Sequence, residues 1–345
     1  TLGKKVTTRK LDVNDPDDVA KAMSGVDVAV GATSYTHNLQ LTKAAIKAGV
    51  HFCDLGGNMD VVDQQLALDA KAKKADVCIL PNCGLAPGMA CVIAAGSATR
   101  FTSVNEIHIR VGGLPQRPVP PLNYQLVFSP EGLINEYIEP AEVIRNGAAR
   151  TVESMADIEE LHFPKPFGKV EAFNTSGGTS TLTRMFKDKI RELDYKTIRY
   201  KGHCEKFKTL LDLGFASSEP VTIGSHVTTA REYFEQLLRK KLPLNGPDVV
   251  LMRVTIKGQL DGAARTVIHE MIDYYDTETN MTSMMRTTAF PTSIIAQMVA
   301  DGTIAARGVM PPEQCVPLEP FITELRKRNI VIKESFPKIL SFNEL

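Results

Sequence analysis

The 345-residue sequence has no excess of either charge: forty lysines and arginines balance forty aspartates and glutamates. A nucleic-acid binder usually carries a basic surplus or stripe, so that class is set aside. No apolar run approaches the ~18 residues needed to span a bilayer, and no basic start with an apolar stretch behind it reads as a secretion signal. The six cysteines, at 53, 78, 83, 91, 204 and 315, are scattered without a CxxC pair, so reduced thiols in a cytoplasmic protein are expected. No histidine joins them at metal-ligand spacing, and no metal is expected. Internal repeats, low-complexity segments and an obvious linker are also missing. What is present is ordinary for a globular chain, 43% hydrophobic and 23% charged, and the length suggests two domains of ~150 residues.

Over the first hundred residues, short apolar runs alternate with helical spacing. Residues 26–33, 50–55 and 76–80 read as buried parallel strands. Residues 38–48, with Gly49 just past the end, read as a helix, as do 60–74 and 87–99. Residues 9–13 are a candidate extra strand, and Asn14-Asp15-Pro16 caps a short helix to Met23. Such alternation implies a parallel sheet with helices on both faces, which binds ligands beyond the carboxyl ends of its strands. The loops at 31–37, 54–58 and 82–88 are therefore the places to inspect. A dinucleotide-binding sheet normally opens with a GxGxxG turn, and none occurs here. The expectation is a chain that begins about one βαβ unit late; the competing one is that the sheet binds no dinucleotide.

From Val104 the period shifts towards two. Residues 103–111 alternate as a strand ended by Gly112-Gly113, 122–128 read as another, and 131–137 as a short helix. Asn146-Gly147 and Asp261-Gly262 mark hairpins, Thr228 or Thr229 caps a helix over 229–240, and further helices are expected over 291–300 and 321–328. This block reads as a separate α+β domain.

Several segments resemble the saccharopine dehydrogenase family. They are Asn82-Cys83-Gly84-Leu85-Ala86-Pro87-Gly88-Met89, Val111-Gly112-Gly113-Leu114-Pro115, Leu122-Asn123-Tyr124, the run from Phe128 to Tyr137, and Thr197-Ile198-Arg199-Tyr200-Lys201-Gly202-His203. The run from Leu122 to Tyr137 looks most like the lysine 6-dehydrogenase branch. The resemblance implies an α/β fold: a Rossmann-type parallel sheet, its N-terminal βαβ unit apparently missing, with an inserted α+β substrate and dimerisation domain. Residues 1–100 and 291–345 would form the dinucleotide-binding domain, and 101–290 the inserted one. It also implies a homodimer, NAD or NADP as cofactor, and oxidation of a C–N bond in a small amino acid. By the family pattern Asp12 and Val13 lie by the adenine, and Ala32 and Thr33 by the ribose. Asp54, Leu55, Gly56, Gly57 and Cys83 lie by the nicotinamide. Leu85, Ala86, Pro87, Gly113, Asn123, Tyr124 and Glu131 would surround the substrate, and Arg199 would pair its carboxylate. Saccharopine-forming relatives carry aspartate in place of Ala86 and cysteine in place of Val111, which favours lysine over saccharopine.

Chemistry fits this reading. Oxidising an amine needs a cofactor face, a carboxylate anchor, a counter-charge for the α-ammonium and a group that takes protons. Arg199 supplies a two-pronged anchor, although the residue alone also reads as a surface arginine. His203 titrates near neutrality and suits proton transfer, or it is a loop histidine bonded to backbone. Asp54 can hold an ammonium or an amide, or simply form the strand-end turn. Glu131 and Glu136 can each neutralise the α-ammonium, with a first-turn helix acid the other reading of Glu131. Cys83 is either a reactive thiol or a small packed side chain. Three outcomes stay open: ε-deamination of lysine to the 6-semialdehyde and ammonia, oxidation of saccharopine or carboxynorspermidine, and a non-catalytic dimerising or regulatory fragment.

Overall fold

Short apolar runs alternating with amphipathic stretches build a parallel sheet in the computed structural model, which describes residues 6–244 and 246–337. The ends of the expected first domain, 1–5 and 338–345, lie outside the described residues. Strands β1 (Val28–Gly31), β2 (His51–Asp54) and β3 (Cys78–Leu80) run parallel, with Gly31 opposite Asp54 and Phe52 opposite Ile79. Helix α1 (Pro16–Met23) starts where the Asp15 carboxylate accepts from the amides of Asp17 and Asp18, satisfying two donors that have no partner in the first turn. Helix α2 (Asn38–Ala48) ends at Gly49 in the left-handed conformation. The helix expected over 60–74 is two, α3 (Met59–Leu66) and α4 (Asp69–Lys74). Val19, Leu41, Ala44, Phe52, Ala72 and Ile79 form the core between these helices and one face of the sheet. Residues 9–13 form no strand.

Helix α5 (Met89–Ala98) buries nine of its ten residues, as an all-apolar helix must. It separates the parallel sheet from a second, nine-stranded one. That sheet begins with β4 (Ser103–Pro115), followed after helix α6 (Pro130–Ile138) by the hairpins β5 (Ala141–Arg145) with β6 (Ala148–Val152) and β7 (Glu159–Phe163) with β8 (Gly168–Asn174). A short helix α7 (Leu182–Phe186) precedes β9 (Glu192–Tyr200), which lies parallel to β4 and antiparallel to β8. Helix α8 (His203–Asp212), an isolated hairpin of β10 (Pro220–Ile223) and β11 (His226–Thr229), and helix α9 (Ala230–Lys241) follow. Thr229 and Glu232 close a reciprocal cap at the start of α9. The long hairpin β12 (Asp248–Leu260) and β13 (Ala263–Tyr274) completes the sheet's centre. Both expected hairpin turns form, each with two consecutive positive φ values: 51° and 83° at Asn146-Gly147, 52° and 74° at Asp261-Gly262.

Strand β4 does not stop at Gly112-Gly113 but runs on to Pro115. A Cβ on Gly112 would lie 2.1 Å from the Ile198 carbonyl oxygen, so the glycine marks close approach of β9 and not a turn. Residues 122–128 are irregular and not a strand. Helix α10 (Ser283–Ala300) starts eight residues before the expected Pro291, capped by Thr282, and packs across β1 and β2. Strand β14 (Gly308–Val309) joins β3 in the parallel sheet, and α11 (Leu318–Lys327) packs on α5. The last described strand, β15 (Lys333–Ser335), departs from the expected return of 291–345 to the first domain, because it pairs with β13 in the large sheet. Among the described residues no helix is long and apolar enough to cross a membrane.

Candidate active site

Two adjoining cavities open where the carboxyl ends of β1, β2 and β3 meet the large sheet. The smaller, about 410 Å³, lies between the 84–87 turn, strands β4 and β9, and the start of α10. The larger, about 720 Å³, lies between the strand-end loops at 33–35 and 56–60, helix α6 and the 176–180 loop. Both are lined by Gly57, Ala86, Pro87, Phe128 and Glu136. Ligand sites of parallel sheets sit at such strand ends.

The wall from the parallel sheet is held by a buried carboxylate. Asp54 is fully buried. It accepts from the Gly56 amide at 2.7 Å, the Gln65 side chain at 2.6 Å and, weakly, the Asn82 amide at 3.4 Å. Burial pushes its carboxyl above the ordinary value, while those three donors pull it down. Asp54 thus ties the β2 and β3 loops together and reaches neither cavity, so the expected contact with a reacting group is corrected: it positions the loops. Gly57 carries φ +129°, and a Cβ there would press on Tyr35 at 2.9 Å. The cavity floor is consequently bare backbone that a flat ring can approach. Asn82 donates to Ser180 Oγ at 3.0 Å, linking the two halves of the wall, while its Oδ1 is buried without a partner.

Across the cleft, the two-residue period of β9 places Tyr195, Thr197 and Arg199 on one face, and all three line the smaller cavity. Arg199 is 3% exposed. Its Nε donates to Tyr137 Oη at 2.9 Å and its Nη1 to the Ile198 carbonyl at 2.9 Å. The guanidinium lies 4.9 Å from the centre of the Tyr124 ring and 5.8 Å from that of Tyr137. Among the described residues no carboxylate comes within ion-pair distance of it. A guanidinium stays charged and carries five N–H donors; two are engaged, and the others are left for a ligand.

His203 is fixed by the same cluster. Its Nε2 lies 3.1 Å from Tyr137 Oη and its Nδ1 3.0 Å from the Leu122 carbonyl. Burial, with help from Arg199, pushes the ring's pKa down to about 3. It lines neither cavity, and the expected proton transfer is corrected to a supporting role: His203 holds Tyr137, which holds Arg199. Tyr124 likewise covers Arg199 from behind the wall. Asn123, with φ 50°, sits outside both cavities.

Other expected residues divide in the same way. Thr33 and Gly56 line the larger cavity; Leu55, Leu85 and Gly113 line the smaller. Glu131 is exposed at the outer rim. Ala32 lines a third cavity, along the outer edge of β1. Asp12 and Val13 lie away from all three cavities: Asp12 accepts from Asn14, and the Val13 carbonyl from Gln40. Cys83 is fully buried and donates to the Leu80 carbonyl, and burial raises its thiol pKa, so packing and not reactivity explains it.

Glu136, expected with Glu131 as a counter-charge for the α-ammonium but not placed among the residues around the substrate, takes the prominent position. It faces both cavities, and its carboxylate makes no hydrogen bond or ion pair with a described residue. Burial pushes its carboxyl up to about 7, against the pull of Arg199 and with a push from Glu139. Asp60, Glu131, Glu139 and Glu142 also line the larger cavity, and Arg199 is the one arginine or lysine lining either cavity among the described residues. Among the described residues no cluster of three His, Cys, Asp or Glu is placed to hold a metal ion.

Comparison with known proteins gives two family matches. Residues 1–80 match the saccharopine dehydrogenase NADP binding domain, and residues 84–331 the saccharopine dehydrogenase C-terminal domain. The NADP(+)-linked, L-glutamate-forming saccharopine dehydrogenase of Schizosaccharomyces pombe is 23% identical, over 94% of this chain and 87% of its own. The corresponding enzyme of Saccharomyces cerevisiae is 21% identical with the same coverage. The apo structure of the L-Glu-forming saccharopine dehydrogenase of Saccharomyces cerevisiae shares the fold, with a TM-score of 0.77 at 20% identity over 95% of this chain and 88% of that one.

Proposed function

The chain belongs to the saccharopine dehydrogenase family, and on that premise we propose that it is an NADP-dependent amino-acid dehydrogenase that oxidises L-lysine at its 6-amine. The observation that carries the substrate reading is Arg199: a buried guanidinium without an ion-pair partner, and the sole arginine or lysine on either cavity wall among the described residues. One such fork matches one carboxylate. Lysine has one, whereas saccharopine has three, and no second arginine or lysine lines either cavity among the described residues to hold the other two. Leu55, Val111, Val127, Met284 and the 85–87 turn give the smaller cavity an apolar wall suited to a four-carbon stem.

The larger cavity fits the nicotinamide end of the cofactor. Thr33, Ser34, Gly56, Gly57 and Asn58 offer uncharged polar groups and bare backbone, and the unpartnered Asn82 Oδ1 lies beside Gly56. These residues would hold the ring amide and the ribose. No arginine or lysine lines that cavity among the described residues, so no phosphate contact is assigned. When bound, the nicotinamide supplies a hydride acceptor. The protein's own part is to anchor the carboxylate on Arg199, hold the stem against the apolar wall and keep bulk water from the reacting carbon. Once hydride has left, addition of one water molecule to the resulting imine carbon and departure of ammonia would give the semialdehyde.

Saccharopine is the second reading, because the relatives named above are saccharopine dehydrogenases. The test follows reduced-nicotinamide absorbance with NADP or NAD against lysine, saccharopine and carboxynorspermidine. Turnover of lysine with NADP is expected. Turnover of saccharopine alone would overturn the lysine reading, and turnover of none would leave the family fold without this reaction.

A further inference from the structure

We infer that Glu136 accepts the proton from the substrate's reacting ammonium, a role that rests on the amine-dehydrogenase reading above. The reacting carbon has to sit where the substrate chamber meets the cofactor chamber. Five residues line both, and four of them, Gly57, Ala86, Pro87 and Phe128, cannot titrate. Glu136 is the ionisable one. The other acids of the larger cavity do not reach the smaller, while Asp54 and His203 reach neither. A carboxylate at this junction with no hydrogen-bond partner has its lone pairs free for an incoming N–H.

The charged and titratable groups around Glu136 come from four directions: Arg199 and Tyr195 on β9, Tyr137 beside it on α6, Glu139 just beyond α6, and Tyr124 in the preceding loop. None is a better acceptor. Arg199 is permanently cationic, and burial pushes Tyr124 up to about 12 and Tyr137 and Tyr195 well above their ordinary values. Glu136, held up to about 7, has a basicity suited to work near neutrality. In the step, one N–H bond of the ammonium breaks and one O–H bond forms on the carboxylate. The electron pair stays on nitrogen, and an ion pair becomes a neutral amine beside a carboxylic acid. The freed lone pair is what oxidation of the neighbouring carbon requires, since a protonated nitrogen cannot assist loss of hydride.

The test compares the wild-type protein with Glu136→Gln and Glu136→Asp, on lysine and saccharopine, between about pH 5.5 and pH 10. Wild-type kcat/KM should fall tenfold per pH unit below about pH 7, the acid limb of a base. Glu136→Gln should lose ~10²-fold or more at pH 8 and lack that limb, and its deficit should shrink towards pH 10, where more substrate arrives unprotonated. Glu136→Asp should keep the limb at lower kcat, which guards against a glutamine variant that fails to fold. A readout independent of turnover is proton release on lysine binding at pH 7, measured calorimetrically in two buffers: present in wild type, absent in Glu136→Gln. A glutamine variant as active as wild type, or one with the same deficit at every pH, overturns the assignment alone. A wild type that oxidises neither substrate overturns the dehydrogenase reading, and the assignment with it.

Discussion

Replacing Glu136 with glutamine removes an ionisable group at nearly constant shape, and the cost of that charge can be worked out. Burial raises the carboxyl from 4.5 to about 7. A folded-state value above the unfolded one means that the native state holds the proton more tightly. Protonated, the group costs nothing extra; the penalty appears as pH climbs through the window from 4.5 to about 7 and is constant above it. At ~1.4 kcal/mol per pH unit, that window corresponds to about 3 kcal/mol. Glutamine never ionises, so Glu136→Gln should be more stable than wild type by about 3 kcal/mol at pH 8, with the difference vanishing towards pH 4.5. Urea unfolding followed by circular dichroism across this range measures it, and the chain's lack of tryptophan makes ellipticity the better signal. A pH-independent difference, or a glutamine variant less stable than wild type at pH 8, would refute the reasoning. The expected outcome is a more stable and less active protein, the usual mark of a charge retained for chemistry.

Three further outcomes follow from the same geometry. Arg199→Lys keeps the charge and loses the planar fork, so KM for lysine should rise by ~10²-fold, worth about 3 kcal/mol, with kcat changed much less; an unaltered KM would remove the carboxylate from Arg199. His203→Phe keeps the ring packing against Phe173 and Phe207 but leaves the Leu122 carbonyl and Tyr137 Oη without their partner, costing about 2 kcal/mol of stability. The pH profile of its residual activity should be unmoved, and loss of the acid limb would restore His203 as the proton acceptor. Gly112→Ala puts a Cβ against the Ile198 carbonyl, which should cost about 2 kcal/mol or more in urea unfolding and raise KM by shifting Arg199, the next residue along β9.

Local order was legible where the local pattern and the final packing agree. The three parallel strands, the Gly49 stop, the Thr229 cap and both hairpin turns rest on signals contained within a few residues. Elsewhere packing overrides such signals. Residues 122–128 have the composition of a strand, yet Tyr124 is spent on covering Arg199 and Leu126 on a single bridge to Leu244, so the segment stays irregular. Pro291 resembles a first-turn proline but lies inside α10, which starts at the Thr282 cap. Gly112-Gly113 resembles a stop, but the reason for glycine is the neighbouring strand, and that strand is distant in sequence. Asp54 and His203 carry the side-chain chemistry of proton transfer, whereas their burial, which turns both into supports, is a property of the assembled core.

The choice between Glu131 and Glu136 shows where reading a helix ends. The buried positions of α6 are Pro130, Leu133, Ile134 and Tyr137. At 100° per residue, Glu131 and Glu136 both lie about 110° from the centre of that stripe, on opposite sides. Periodicity therefore makes them equivalent, and Glu131 gains an apparent advantage from its place in the first turn, where an acid suits the helix dipole. That advantage is structural, satisfied at the exposed rim, and it says nothing about the cleft. The distinction comes from what flanks the helix. Arg231 of α9 donates to Asn135 Oδ1 and the Glu131 carbonyl, closing off one side, while the other side faces the 84–87 turn and β9. A carboxylate is catalytic here because of which side of its helix was left without a neighbour, and that is decided by a turn about fifty residues earlier in the chain and a strand that begins 56 residues later.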